Sequence, residues 1–271
     1  HFTGIRIMGV FQNNLMGAAA ASASAGGSAF YDYQIANSVF LNGTSQSLTK
    51  TWGATPSDAD KKAVSVWIKR SGSDGTNSEI GSTTNTKIFS GASGTGAVGD
   101  MLEINTNNPS GYSDAIHYTH LGAGGSGISG IQRFRDPSAW LHIIYIYNSD
   151  AAAAADRISI YYNGVRTPTT ADTSYWYING NANPDAGMDC TLGKNGYKMY
   201  IGSYVYDGAG WWGGQMADFI MIDGAASYTD FGEFKNGVWI PKDPSGLTFG
   251  NNGFHLDFAS SGDLGNDVSG N

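Results

Sequence analysis

Short runs of alternating apolar and polar residues recur along this chain. Ser38-Val39-Phe40-Leu41-Asn42-Gly43 near the front and Gly253-Phe254-His255-Leu256-Asp257-Phe258 near the back both carry the period-two pattern of a strand with one buried face. Between them, Val64-Ser65-Val66-Trp67-Ile68-Lys69, Met101-Leu102-Glu103-Ile104-Asn105 and Asp114-Ala115-Ile116-His117-Tyr118-Thr119-His120 predict further strands. Trp140 to Tyr145, Arg157 to Val165, Tyr200-Ile201-Gly202 and Gly214 to Gly224 continue the series. Asn163-Gly164 predicts a tight hairpin turn, because both residues tolerate positive φ. The expected fold is an all-β sandwich closed by pairing the first strand with the last.

The connections expected between these strands are long and rich in Gly, Ser, Thr and Asn: Ser71 to Thr86, Ser90 to Asp100, Gly122 to Gly130 and Thr167 to Asp189. Ahead of the strands, Met8-Gly9-Val10-Phe11-Gln12 reads as a natural start, and the seven residues before it carry no functional weight. Ala18 to Ala29 holds only Ala, Ser and Gly, the composition of a flexible linker or a thin packed arm. Val10, Phe11, Leu15 and Met16 are poor choices for a free tail and are expected to anchor it to a neighbour. The expected division is an arm over residues 1–32 and a sandwich domain over 33–271.

Composition narrows the function classes. With 39 Gly in 271 residues and only 14% charged residues, a helical protein is disfavoured. The net charge of −8, with no basic cluster beyond Lys61-Lys62 or Lys69-Arg70, argues against nucleic acid as a partner. No apolar run approaches the roughly 20 residues of a membrane-spanning helix, so no membrane insertion is expected. Cys190 is the sole cysteine and cannot form an intrachain disulfide, which leaves packing, oligomerisation or bound ions to strengthen the fold.

The order of strands resembles the concanavalin A-like, laminin-G-type lectin and glucanase sandwich. The most specific stretches are Arg135-Asp136-Pro137-Ser138-Ala139-Trp140-Leu141-His142-Ile143 and Asp156 to Val165, similar to that group's Trp-x-His followed by a strand ending Asn-Gly. Ser65-Val66-Trp67-Ile68-Lys69-Arg70, Phe231-Gly232-Glu233-Phe234, Gly237-Val238-Trp239-Ile240-Pro241-Lys242 and Asn252 to Phe258 look like a narrower set, similar to structural proteins of tailed bacteriophages. The resemblance implies a concanavalin A-like jelly-roll β-sandwich with an extended N-terminal arm. It further implies a virion fibre, appendage or decoration protein, whose partners would be copies of itself, other virion proteins and host surface polysaccharide. The implied location is the virion surface, with a secreted cellular lectin as the alternative.

The residues that could carry chemistry narrow that implication. Glycosidases of this fold place acidic residues at alternate positions of one strand, but among the three glutamates, Glu79, Glu103 and Glu233, none has such a partner, so no catalytic residue is assigned. No cofactor is required; calcium is the one candidate ion, through the side-chain oxygens of Asn181, Asn183, Asp185 and Asp189, residues equally suited to forming turns. His117 and His120 are three apart on a strand and are expected to point to opposite faces, and His142 is expected to be structural. Trp176, Tyr206, Asp207, Trp211 and Trp212 are the candidate sugar-binding residues, because flat aromatic faces on loops can stack on sugar rings; contacts between subunits are an equal alternative. Trp67, Trp140 and Trp239 are expected in the core. The reading is a non-enzymatic virion protein with a lectin-like domain, against the alternatives of a purely structural subunit or a depolymerase.

Overall fold

A computed structural model of the chain describes residues 3–4, 30–71, 86–92, 98–105, 114–120, 126–130, 132–171, 183–204 and 210–271. One sheet runs, in spatial order, β1 (Thr3–Gly4), β3 (Leu48–Thr51), β13 (Lys198–Ile201), β5 (Thr86–Ala92), β6 (Val98–Asn105), β7 (Ala115–His120), β8 (Ser126–Gly130) and β12 (Thr169–Ala171). The other runs β11 (Val165–Arg166), β10 (Ile158–Tyr162), β9 (Leu141–Asn148), β4 (Lys61–Arg70), β14 (Gly213–Ile222) and β17 (Phe254–Leu256), with β2 (Val39–Asn42) also beside β14. The sheets enclose one core, to which β4 and β9 give Val64, Val66, Ile68, Ile143 and Tyr145, and β5, β6 and β7 give Ile88, Leu102, Ile104, Ile116 and Tyr118. This is the expected all-β jelly-roll sandwich.

The seven-stranded sheet is covered on its outer face as well. Ala63 and Trp67 of β4, Ile144 of β9, and Ala217 and Ile220 of β14 form a second core with Phe231, Trp239 and Phe249. The cover comes from residues after β14, built around the hairpin of β15 (Gly232–Lys235) and β16 (Val238–Pro241). His142 ties the layers together. It stacks on Trp67 with ring centroids 4.4 Å apart, accepts the indole N–H of Trp239 at Nδ1 (2.8 Å), and meets the Ser65 hydroxyl at Nε2 (2.7 Å). An indole N–H only donates, so Nδ1 carries no proton and the ring is the neutral Nε2–H tautomer.

The two strands expected to close the sandwich, β2 and β17, do not pair with each other. Both lie along β14, β2 opposite Gly213 to Met216 and β17 opposite Phe219 to Met221. Strands of four and three residues fit end to end along a partner of ten. The segment from Gly122 to Gly130, read as a loop, contains β8, and the long connection from Thr167 contains β12. Gly and Ser give little strand signal on their own; pairing with β7 and β8 supplies what composition does not. The hairpin of β15 and β16 was missed as a strand pair, although its turn, Asn236-Gly237, has both residues at positive φ.

The turn at Asn163-Gly164 does form, with φ of 45° and 78°. A Cβ on Gly164 would overlap the Trp239 ring, so the glycine serves both the turn and the second core. Gly196 has the same φ of 78° and open space around it. We predict that Gly164→Ala lowers stability in urea titrations by clearly more than Gly196→Ala, whose backbone strain alone amounts to about 1 kcal/mol. Equal losses would remove the contact with Trp239 from the account.

Candidate functional site

A cleft of about 170 Å³ opens at one end of the sandwich, where the sheets part. Ile68 and Arg70 at the end of β4 and Ile104 near the end of β6 form its base, with Arg133, Arg135, Asp136, Trp140 and Asn163 around it. Phe134 lines it too and packs at a tilt on Tyr162, ring centroids 4.4 Å apart, fixing the segment that carries the arginines on either side of it.

Asp114 holds this end of the fold in shape. It stands at φ 64° just before β7, and its carbonyl accepts the Phe134 amide at 2.8 Å. One carboxylate oxygen accepts the Arg70 guanidinium at 3.0 Å and the other accepts Arg135 Nε at 2.8 Å. Arg70 also donates to the Phe134 carbonyl. Burial lowers the Arg70 pKa; Asp114 opposes that shift and the nearby charge of Arg135 adds to it. Arg133 is exposed, and the Arg135 side chain keeps 51% of its surface exposed. Asp136 turns back on its own loop, accepting both the amide and the hydroxyl of Ser138, which lowers its pKa. Three arginines therefore line the cleft with the Asp136 carboxylate, which is engaged in its own turn, while Asp114 is buried against Arg70 and Arg135.

Several residues singled out from sequence lie elsewhere. Trp212 is a correction: it is fully buried in the main core, where its amide donates to Gly202 and no ring face is left for a sugar. Trp211 is half-buried ahead of β14. Trp176, Tyr206, Asp207 and Asn181 lie outside the described residues, as do the anchoring candidates Val10, Phe11, Leu15 and Met16. Of the calcium candidates, Asn183 is half-buried and Asp185 exposed. The Asp189 carboxylate already accepts the Lys194 ammonium at 2.9 Å. Nearby carbonyls are engaged as well, Pro184 with Arg157 and Met188 with the Tyr147 hydroxyl. Among the described residues, no group of three or more His, Cys, Asp or Glu side chains is placed to hold a metal ion.

Trp140, expected in the core, does pack against the second core, but it also forms a wall of the cleft. His117 and His120 point to opposite faces of their sheet. His117 meets Glu103 at 3.1 Å on the outer face, where Glu103 is also paired with Lys87, and His120 meets Asp100 at 2.8 Å on the inner face. Burial alone would raise the Glu103 pKa, but Lys87 and His117 pull it below the usual carboxylate range. The arginines of the cleft went unrecognised as a group. The alternation Arg133-Phe134-Arg135 was the available signal, whereas the approach of Arg70 across the fold leaves no local trace.

No protein-family model matches the chain, and no curated protein matches it. Solved structures resemble it at low identity. The heptameric SAP-like pentraxin of Limulus polyphemus is 15% identical over 70% of this chain and 77% of that one, with a TM-score of 0.43. The receptor-binding domain of botulinum neurotoxin D is 14% identical, over 84% of this chain and 46% of that one, at 0.46. The full-length tailspike protein 2 of Escherichia coli O157:H7 bacteriophage CAB120 is 13% identical, over 72% and 24%, at 0.43. The chain spans less than half of the toxin domain and about a quarter of the tailspike.

Beside the cleft, His142 gives the fold a pH dependence. Burial lowers its pKa to about 3, whereas an unfolded histidine takes a proton near pH 6.5. Between those values the unfolded chain holds the extra proton, so stability falls as pH falls through that window. We predict that the His142 ring keeps neutral NMR shifts from about pH 7 to about pH 4 in the folded protein, while stability drops by up to roughly 1.4 kcal/mol per pH unit from this group. A ring that titrates near its free value would overturn the assignment.

Proposed function

We propose that this chain is a non-catalytic recognition module that binds saccharide in the cleft at the end of its sandwich. One observation carries the reading: the flat side chain of Trp140 stands in the same small cleft as a group of guanidinium forks. Sugars combine apolar ring faces with hydrogen-bonding hydroxyls, so an aromatic wall beside polar donors suits them. At about 170 Å³ the cleft is smaller than the roughly 300–1,000 Å³ that encloses a drug-sized molecule, so it takes one ring and leaves the rest of a glycan outside. Weak single sites of this kind become useful when copies are displayed together. The sequence resemblance to tailed-phage structural proteins supports display on a virion, with host surface polysaccharide as the target.

The reading is of binding without hydrolysis: Glu103 is committed to Lys87 and His117 beneath the surface, and Glu233 sits on the β15–β16 hairpin, outside the residues that line the cleft. No helix among the described residues is long and apolar enough to cross a membrane. Binding of host polysaccharide fragments to the full chain, followed by saturation-transfer NMR, tests the reading. We expect contacts at Trp140 and a loss of roughly ten-fold in affinity in Trp140→Leu, which keeps apolar volume and removes the flat face. Absence of any saccharide binding, or binding indifferent to Trp140, would sink it.

A second observation supports self-association or contact with other virion proteins. Val165 on β11 and Phe234 and Val238 on the β15–β16 hairpin are exposed apolar side chains, with Phe234 edge-on to Trp239 at 5.1 Å. Scattered apolar residues are ordinary on a surface, but a group beside an aromatic cluster marks a contact face. Sedimentation of the wild type should report assembly that the double variant Phe234→Ser, Val238→Ser reduces; a monomeric wild type at high concentration would exclude this face as a self-contact.

A further inference from the structure

Resting on the reading of the cleft as a saccharide site, we infer that the sugar it takes is acidic and carries a carboxylate. The chain as a whole is anionic, at −8, yet this cleft gathers Arg70, Arg133 and Arg135 in one place. Arg70 and Arg135 stand close enough for the charge of one to disfavour that of the other. Such an arrangement is held together by Asp114, whose carboxylate is enclosed between the two. Asp136, the acidic residue among those that line the cleft, is drawn into its own turn by Ser138.

Of the charged residues that line the cleft, three are arginines and one is Asp136, with Arg133 exposed and Arg135 half exposed. A neutral sugar seated there would strip water from guanidinium groups and offer no charge in return. A carboxylate matches the planar fork of a guanidinium with two parallel, charge-assisted hydrogen bonds. The same cleft places Trp140 where the ring bearing that carboxylate would lie. Local attraction survives the negative charge of the rest of the chain because, at physiological ionic strength, charges beyond about 8 Å are largely screened.

The test uses the full chain and three trisaccharides of equal length, titrated in a calorimeter: a galacturonic acid trimer, its neutral galactose counterpart and a sulfated galactose trimer. The galacturonate should bind roughly ten-fold tighter than the neutral trimer, and raising salt to about 1 M should erase that preference. Arg133→Gln, an exposed change that leaves the Asp114 pairs in place, should lower galacturonate affinity by roughly ten-fold. Equal binding of acidic and neutral trimers would overturn the inference and leave the saccharide reading standing. Tighter binding of the sulfated trimer would overturn the choice of carboxylate. Failure of all three to bind, together with silence toward host polysaccharide fragments, would overturn the saccharide reading itself.

Discussion

Strand β4 is buried from both sides, and the rest of the molecule is arranged to allow it. Val64, Val66 and Ile68 face the main core while Ala63, Ser65 and Trp67 face the second. A strand of this kind needs a sheet on one side and a cover on the other, or Trp67 would lie bare. The cover formed by residues 223–253 provides that, and His142 links it to the strand by stacking on Trp67 and bonding to Ser65 and Trp239. The cleft depends on the same arrangement. Ile68 and Arg70 reach it from the end of β4, and Trp140 reaches it from the segment leading into β9, which pairs with β4.

Polar groups placed inside the fold cross-link segments in a chain with one cysteine. Asp100, fully buried, accepts hydrogen bonds from the Tyr118 hydroxyl, the amide and hydroxyl of Thr191, and Cys190, and pairs with His120. Burial opposes the charge on both Asp100 and His120, but their pairing prevails, lowering the pKa of the one and raising that of the other. Lys62 and Asp223 form a second enclosed pair, and Asp223 also holds the amides of Ser57 and Asn252. Removing one member of such a pair strands a buried charge, which costs several times more than an exposed ion pair contributes.

The strands of the main core could be read from the sequence because Val39 and Leu41, Val64, Val66 and Ile68, and Phe254 and Leu256 recur at every second position and all face that core. Their partners could not. The bond between the two ends of the chain is made through Asp218, whose φ of 50° lies at an irregularity in β14 and whose carboxylate meets both Tyr33 and His255. Nothing local to Asp218 announces contacts with residues on either side of the fold. Trp212 illustrates the converse: an aromatic beside glycines reads as a loop, yet its ring belongs to the core. The cleft was legible only in fragments, since Trp140 and Arg135 belong to one family-like stretch of sequence and Arg70 to another.

The placement of β2 along β14 also decides how the domain meets force. Val39 lies opposite Met216 and Asn42 opposite Gly213, so β2 runs toward the end of the sandwich where Arg70, opposite Gly214, opens onto the cleft. A pull between something held in the cleft and the chain ahead of Val39 is thus directed along the strands. The ladder between β2 and β14 is loaded in shear, with its hydrogen bonds strained together instead of parting one by one. A pull on the chain ahead of Val39 against that end of the sandwich therefore meets the whole ladder at once.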